Sequence, residues 1–350
     1  MEVLRSMFNE DDVGSVIPTS RTDKNRDERK DFKDNGKRQS GVRICLALGL
    51  YVVLHICHRY TRVLYLKRSE INLFYIWINS GLVMILIGFY NRYRYQRRLS
   101  FLLHTRPLKT HPEISLYALF VAVDGTHSNG FYNTSGGKEV HQLGMAISPL
   151  CVIMAALWFR PDGGHTSKIR GAIAMCSILM LILFSAEYDV YIPYHVTVMT
   201  AIWAILHGSL LAGFALMAKY YLHEMSLSQI IHSMNLSCVV LLPVVMVLTG
   251  ELSLLLTGTL PGQRNTIVPV YGIIVMAILQ LLNQIASLHL VNVTSPLHYL
   301  ASRGLAWVPV TLIITFGFRI EMLISTFKGF FIAVGVFLMS LVEELRKPKL

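Results

Sequence analysis

Long apolar stretches recur along this chain, and they constrain its fold more than any other feature of the sequence. Ten can be marked, and most are long enough to cross a hydrocarbon layer of about 30 Å as a helix. They are Val42–Cys57, Ile71–Phe89, Ile114–Asn129, Leu143–Phe159, Ile169–Phe184, Val196–Ala218, Ile230–Leu248, Ile267–Leu290, Tyr299–Phe316 and Met322–Leu341. Only 15% of the residues are charged, against about 25% in globular proteins. The sequence therefore predicts an all-α polytopic membrane protein with ten transmembrane helices.

The ten stretches divide evenly around the polar segment Glu187–Pro193. Two homologous halves with an odd number of spans must have opposite orientations, which is the inverted-repeat plan of many secondary transporters. We therefore expect two five-helix inverted repeats, residues 41–190 and 191–345. A disordered cytosolic arm of residues 1–40 would precede them, and a cytosolic tail of residues 346–350 would follow. The even count is compatible with a repeat and does not establish one.

The net charge of +11 comes from the apolar region and its connections, because residues 1–40 carry as many basic as acidic side chains. Much of the excess lies between the second and third stretches and in the tail. Both regions lie on one side of the membrane if the termini are cytosolic, in agreement with the positive-inside rule. Arg59 and Arg62, in the predicted loop after the first stretch, contradict that rule. We expect this region to deviate from a simple span, and the charge needs no nucleic-acid partner to explain it.

Sequence motifs of common enzyme active sites are missing from the sequence. The five cysteines lie within or beside the apolar stretches, which is typical of small packing residues. No Cys/His spacing indicates zinc, and no HExxH, GxSxG or phosphate-binding Gly-rich loop is present. We therefore expect neither a metal, nor a cofactor, nor an enzyme. A polytopic enzyme is the weakest interpretation, because it needs an acid–base or metal cluster.

Arg303 lies in an apolar segment, Thr294–Pro309, with the sequence TSPLHYLASRGLAWVP. A guanidinium at that depth is costly unless it faces water, a partner or an anionic ligand. We therefore expect a water-filled cavity or an anion at this position. The alternative is that the ninth span begins later and the side chain reaches the interface. The remaining polar residues of the stretches, taken singly, are typical of interhelical hydrogen bonds.

Four stretches between residues 185 and 345 carry a family resemblance: Ser185–Asp189 (SAEYD), Ser233–Glu251 (SMNLSCVVLLPVVMVLTGE), Thr294–Pro309 and Lys328–Ser340 (KGFFIAVGVFLMS). They resemble the drug/metabolite transporter superfamily, in its branch of nucleotide-sugar and triose-phosphate carriers. The first half matches mainly by its number of spans and by Pro149. The resemblance implies a site at mid-membrane between the two halves. It also implies exchange of a nucleotide sugar for a nucleoside monophosphate, or of a phosphorylated sugar for phosphate.

Substrate-binding residues follow from two aligned motifs. His232–Asn235 (HSMN) aligns with Phe-Tyr-Asn-Asn of the GDP-mannose transporters, and Arg303–Trp307 (RGLAW) aligns with their Gly-Ala-Leu-Asn-Lys. Ala306 and Trp307 replace the family's sugar-reading Asn and its Lys, which argues against GDP-mannose. Arg303 would restore the lost cation one helical turn earlier. The expected substrate-binding residues are Arg303, Asn235, Tyr299, Ser302, His232, Trp307 and Asn283.

Taken together, these features predict a secondary antiporter of a nucleotide sugar or another phosphorylated metabolite. The resemblance implies a multi-pass protein of the Golgi or endoplasmic reticulum membrane with cytosolic termini. The alternative is a transport-inactive receptor or scaffold that keeps the fold, which the loss of the family's Asn and Lys favours. The lipid bilayer and the phosphorylated small molecule are the expected partners. A second copy of the chain is a further candidate partner, and the oligomeric state is left open.

Overall fold

The computed structural model describes residues 26–66, 71–95, 114–133, 135–159, 168–185, 198–257, 268–315 and 332–342. In these ranges the chain is helical apart from short connections, and it forms no strand there. The helices are α1 (Arg26–Leu66), α2 (Asn72–Tyr95), α3 (Ser115–Asn133), α4 (Ser135–Phe159), α5 (Lys168–Ser185), α6 (Val198–Glu224), α7 (Leu227–Leu248), α8 (Glu251–Thr257), α9 (Val270–Val293), α10 (Pro296–Thr315) and α11 (Ile332–Val342). The expected all-α fold is confirmed for the described residues.

Five helical segments of the described chain are long and apolar enough to cross a membrane. They are Gly41–Leu66, Asn72–Tyr90, Ala201–His223, Leu227–Leu248 and Val270–Val293. Shorter apolar segments lie where the third, fourth, fifth and tenth spans are predicted: Ser115–Thr126, Leu143–Leu157, Arg170–Leu179 and Ile332–Val342. Large apolar side chains such as Leu46, Val53 and Leu248 are exposed on the outside of the bundle, as a lipid environment requires. The chain is therefore a multi-pass helical membrane protein.

Helix α1 differs from its prediction at both ends. It begins at Arg26, whereas a disordered arm was expected through residue 40. It also continues to Leu66, so Arg59 and Arg62 lie within the helix and not in a loop after residue 57. No proline interrupts this stretch, and the inward-facing charges find partners, so nothing ends the helix earlier. The expectation of a loop at Arg59 and Arg62 was wrong.

Helices α4 and α6 pack closely against each other at two glycines, Gly144 and Gly208. A Cβ on Gly208 would lie 2.8 Å from the Gly144 carbonyl oxygen and 2.9 Å from Ile147 Cβ. Small residues four positions apart, such as Gly208 and Ala212 in α6, allow helices to approach in this way. At Gly208 only a residue without a side chain fits between α6 and α4.

Helices α2 and α7 run antiparallel, and a carboxylate closes one end of the pair. The indole Nε1 of Trp77 donates to the Val239 carbonyl at 3.0 Å. Glu251 follows α7, and its two carboxylate oxygens accept the backbone N–H groups of Leu73 (3.2 Å) and Phe74 (2.7 Å). Because α2 has no acidic residue in its own first turn, Glu251 provides the N-terminal cap.

Candidate functional site: a cationic cavity within the bundle

A cavity of about 790 Å³, including its opening to solvent, lies among α1, α2, α3, α6, α7, α9 and α10. Helices from both predicted halves contribute to its wall. Its basic side chains are His55, His58, Arg59, Arg62 and Arg303, and its acidic side chain is Asp124. Amides and aromatic rings form much of the remaining wall: Asn79, Gln280, Asn283, Gln284, Tyr117, Phe120, Phe214 and Tyr299.

Helix α1 brings a polar stripe to this cavity. His55, Arg59 and Arg62 are spaced four and three residues apart, so one face of the helix carries all three. The side chains of Arg59 and Arg62 are only 15% and 13% exposed. Two guanidiniums are therefore largely removed from water on the inner face of a membrane-spanning helix.

Asp124 of α3 binds both of these arginines. Arg59 donates through Nη1 to Oδ2 at 3.0 Å and through Nη2 to Oδ1 at 3.2 Å, which is the two-pronged geometry of a strong guanidinium–carboxylate pair. Arg62 Nη1 donates to the same Oδ2 at 3.0 Å. His207 of α6 has its Nε2 3.6 Å from Oδ1. One carboxylate thus faces two permanent positive charges.

Arg303 adds a third guanidinium from α10. Its side chain is 6% exposed, and its Cζ lies 5.0 Å from the centroid of the Phe120 ring. Tyr299, one turn earlier, adjoins the guanidinium. The Nε atom has no hydrogen-bond partner among the residues that the structure describes. The charge of Arg303 is therefore directed to the cavity and not to the membrane interface.

A network of amides joins α7 and α9 beside the cations. The Asn235 side-chain N–H₂ donates to Gln284 Oε1 at 2.9 Å and to the Ile231 carbonyl at 2.7 Å. Asn235 Oδ1 accepts from Gln280 at 3.2 Å and from Gln284 at 3.3 Å. The Gln284 amide also donates to the Tyr117 hydroxyl at 2.9 Å. These bonds fix the orientation of amides that line the cavity.

The structure brings three of the seven predicted substrate-binding residues together. Arg303, Tyr299 and Asn283 line the cavity. Asn235 lies behind the wall and binds two of its amides. Ser302 is buried and donates to the carbonyl of His298 in its own helix at 2.7 Å. His232 is also buried and is not part of the lining, and the side chain of Trp307 lies outside the described residues.

Sequence reasoning missed Arg59, Arg62 and Asp124 as site residues. The arginines were assigned to a loop, and Asp124 was one of the polar residues of the stretches that, taken singly, are typical of interhelical hydrogen bonds. A usable signal exists in the periodicity of α1, where Tyr51, His55 and Arg59 recur every four residues. That spacing marks one polar face of a continuous helix.

The fold and the cavity define a class: a multi-pass helical membrane protein with a cationic cavity enclosed by its helices. No group of three or more His, Cys, Asp and Glu side chains in the described ranges could hold a metal ion. An anion fits the charge of the cavity, because the described part of its wall carries three guanidiniums and one carboxylate. A comparison with models of known protein families found no match, and a comparison with curated proteins found none either.

Proposed function

We propose that this protein is a secondary antiporter that exchanges a nucleotide sugar, or another phosphorylated metabolite, across an endomembrane. The observation that carries the proposal is the cavity whose described wall holds three arginines, Arg59, Arg62 and Arg303, and one carboxylate, Asp124, which pairs with the first two. Guanidiniums inside a membrane protein are costly and usually mark a substrate or ion path. Their planar fork matches phosphate oxygens.

The uncharged part of the wall supports a ligand with more than a phosphate. Asn79, Gln280, Asn283 and Gln284 carry both donors and acceptors, which suits the edge of a base or the hydroxyls of a sugar. Tyr117 and Tyr299 offer aromatic surface together with hydroxyl groups. A phosphorylated ligand with a polar organic part would use both kinds of wall.

The pairing of helices supports a ten-helix inverted repeat. Exchanging the halves turns α1 into α6, α2 into α7, α3 into α9 and α4 into α10. Each of the observed contacts α2–α7 and α4–α10 is then mapped onto itself. The contacts α1–α9 and α3–α6 exchange, as do α4–α6 and α1–α10, α3–α7 and α2–α9, and α3–α4 and α9–α10. A pseudo-two-fold axis in the membrane plane would produce these reciprocal pairs. The contacts of α6 with α7, α9 and α10 have no counterpart of similar extent among the described helices.

Residues at corresponding places in the two halves support the same repeat. Four helix pairs carry matching residues: His55 with His207, Asn79 with Asn235, Asp124 with Asn283, and Gly144–Pro149 (GMAISP) with Gly304–Pro309 (GLAWVP). The separation between partners rises only from 152 to 160 positions, in chain order. Such a small drift is consistent with two copies that differ by short insertions in their loops.

Location in the Golgi or endoplasmic reticulum and cytosolic termini remain part of this proposal, and both rest on the family resemblance. Fluorescent tags at each terminus test them. After selective permeabilisation of the plasma membrane, both tags should be accessible to antibody on internal membranes. A tag protected inside the compartment would contradict the topology without affecting the transport proposal.

Counterflow in liposomes tests the function. Purified protein is reconstituted into vesicles loaded with one phosphorylated compound, and uptake of labelled nucleotide sugars, nucleoside monophosphates, sugar phosphates and inorganic phosphate is measured. Unphosphorylated nucleosides and sugars, and vesicles without protein, are the controls. We expect uptake only when a phosphorylated compound is on both sides. Binding without counterflow would favour the receptor alternative. The absence of both binding and counterflow would contradict the proposal.

A further inference from the structure

We propose that Asp124 is an internal counter-ion: it occupies the arginines of the cavity when no substrate is bound, and the substrate's phosphate displaces it. This inference rests on the proposed function and assigns a role within it. It makes Asp124 a residue that sets affinity and couples exchange, and not a direct ligand of the substrate.

In its ion pairs with Arg59 and Arg62, the Asp124 carboxylate takes the place that a phosphate group would take. A carboxylate presents two oxygens to the two-pronged face of Arg59 and shares one of them with Arg62, at 3.0–3.2 Å. A phosphate group would use the same donors with the same spacing. Asp124 and an incoming phosphate therefore cannot both hold Arg59 in this way, and binding of one displaces the other.

Charge balance explains why a substitute is present. Two largely buried guanidiniums without an anion would leave uncompensated charge inside the membrane region, which is strongly unfavourable. The carboxylate neutralises one of the two charges in the empty cavity. A phosphate can take over this task in the loaded cavity, so the arginines hold an anion in both states.

A displaced carboxylate also has a second position available. His207 Nε2 of α6 lies 3.6 Å from Asp124 Oδ1, the oxygen that also accepts from Arg59 Nη2. When phosphate occupies the arginines of α1, Asp124 can keep its contact with α6 alone. The carboxylate thus ties α3 to α1 in the empty state and releases that tie when substrate binds.

When the ion pairs of Asp124 with the α1 arginines break, the bound substrate controls helix movement. With the cavity empty, Arg59 and Arg62 hold α1 against α3, and we expect the helices to stay in place. With substrate bound, α1 and α3 are free to move relative to each other. A carrier of this kind moves its helices only when substrate is bound. This is the requirement for coupled exchange without uncoupled efflux of substrate.

The corresponding residue in the other half suggests the right substitution. Asn283 matches Asp124 in the proposed repeat, and it lines the same cavity. Asp124→Asn therefore introduces the residue that the second half carries at the equivalent place, and it removes only the charge. Glu251→Gln is the matched control, because it makes the same change of charge at a buried carboxylate outside the cavity.

Binding of inorganic phosphate and of nucleoside monophosphates to the purified full-length protein tests the inference, together with efflux of loaded substrate into substrate-free buffer. We expect Asp124→Asn to bind at least about tenfold more tightly than the wild type, the lower end of what close charge pairs contribute. We also expect it to release substrate without a counter-substrate. Glu251→Gln should match the wild type in both measurements.

Unchanged or weaker binding by folded Asp124→Asn would overturn the counter-ion role while leaving the proposed function intact. Should Asp124→Asn fail to fold, the charge-balanced double variant Asp124→Asn/Arg62→Gln is compared with Arg62→Gln alone, and the same gain in affinity is expected. If neither the wild type nor any Asp124 variant binds a phosphorylated compound, both proposals fail together. Binding by the variant alone would support the counter-ion and call for a new measurement of wild-type affinity at higher ligand concentration.

Discussion

The Arg303 guanidinium lies over the ring of Phe120, with its Cζ 5.0 Å from the ring centroid. The two residues belong to α10 and α3, so a cation from one predicted half meets an aromatic face from the other across the cavity. Phe120 lies one turn before Asp124 on α3. Helix α3 therefore presents a ring to Arg303 and a carboxylate to the arginines of α1. The ring satisfies part of the charge of Arg303 without occupying a hydrogen-bond donor, since a cation–π contact uses the face of the ring.

Under the proposed function, Arg303→Ala should abolish exchange of phosphorylated substrate, because it removes the cation proposed to meet the ligand from α10. Arg303→Lys should restore exchange only in part, since an ammonium cannot make the planar two-pronged contact. Counterflow in liposomes measures both variants. Expression and a single peak in size-exclusion chromatography show that each variant is folded.

Arg43→Ala is the control for Arg303→Ala. It removes an arginine that is exposed on α1 and lies outside the cavity. We expect exchange by this variant to match that of the wild type. Wild-type exchange by folded Arg303→Ala would refute the phosphate-binding role of Arg303.

Asn235→Leu should lower both stability and substrate affinity. It removes the acceptor for the Gln280 and Gln284 amides and leaves buried donors without their partner, at a cost of about 1–3 kcal/mol. The freed amides would then also lose their fixed orientation in the cavity wall. Thermal unfolding in detergent and substrate binding are the two measurements.

Ser237→Ala provides a matched comparison on the same helix. The Ser237 hydroxyl donates to the Ser233 carbonyl one turn earlier in its own helix, at 2.8 Å, so its loss should change stability little and affinity not at all. Equal effects of the Asn235 and Ser237 substitutions would show that the amide network does not support the cavity.

The fold was largely predictable from the sequence, and the reason is local. In lipid, the backbone N–H and C=O groups of a helix must make their hydrogen bonds within the helix. Each apolar stretch of sufficient length therefore predicts a helix by itself. The inward direction of Arg303 follows from the same kind of reasoning, because the cost of a charge in an apolar segment depends on its immediate neighbours. Nothing further along the chain is needed for either conclusion.

The rest of the site depends on contacts between residues far apart in sequence. Arg59 and Arg62 lower the apolar character of α1 and suggest a loop, yet the helix continues because Asp124, 65 and 62 positions away, compensates them. The cap that Glu251 provides for α2 spans an even longer separation. Local periodicity shows which face of α1 is polar, but it does not show which residue meets that face.

Gly208→Ala should destabilise the protein. The new Cβ would lie 2.8 Å from the Gly144 carbonyl oxygen and 2.9 Å from Ile147 Cβ, so α4 and α6 must separate. Overpacking of this kind costs about 1–3 kcal/mol. Gly81→Ala on α2 is the control, because its Cβ meets nothing within 4 Å. That variant should be as stable as the wild type or more so, since alanine favours helix. Equal thermal unfolding of the two variants would contradict the close packing.

Glu251 should make stability depend on pH in a specific direction. Burial raises the pKa of its carboxyl above the ordinary value, because desolvation outweighs the lowering effect of the backbone donors Phe74 and Leu73. The folded protein therefore retains this proton to higher pH than the unfolded chain. The resulting contribution to stability is fully present below the unfolded pKa of about 4.3, and it is lost as the pH rises through the raised folded value.

Two substitutions separate the charge of Glu251 from its hydrogen bonds. Glu251→Gln keeps an acceptor for the α2 N-terminus and does not titrate, so its thermal unfolding in detergent should vary less with pH than that of the wild type as the pH rises above about 4. Glu251→Leu leaves the N–H groups of Leu73 and Phe74 without the cap and should lose about 1–3 kcal/mol at every pH. If the Gln variant keeps the wild-type pH dependence, another group causes it. If the Leu variant is as stable as the Gln variant, the cap on α2 does not stabilise the protein.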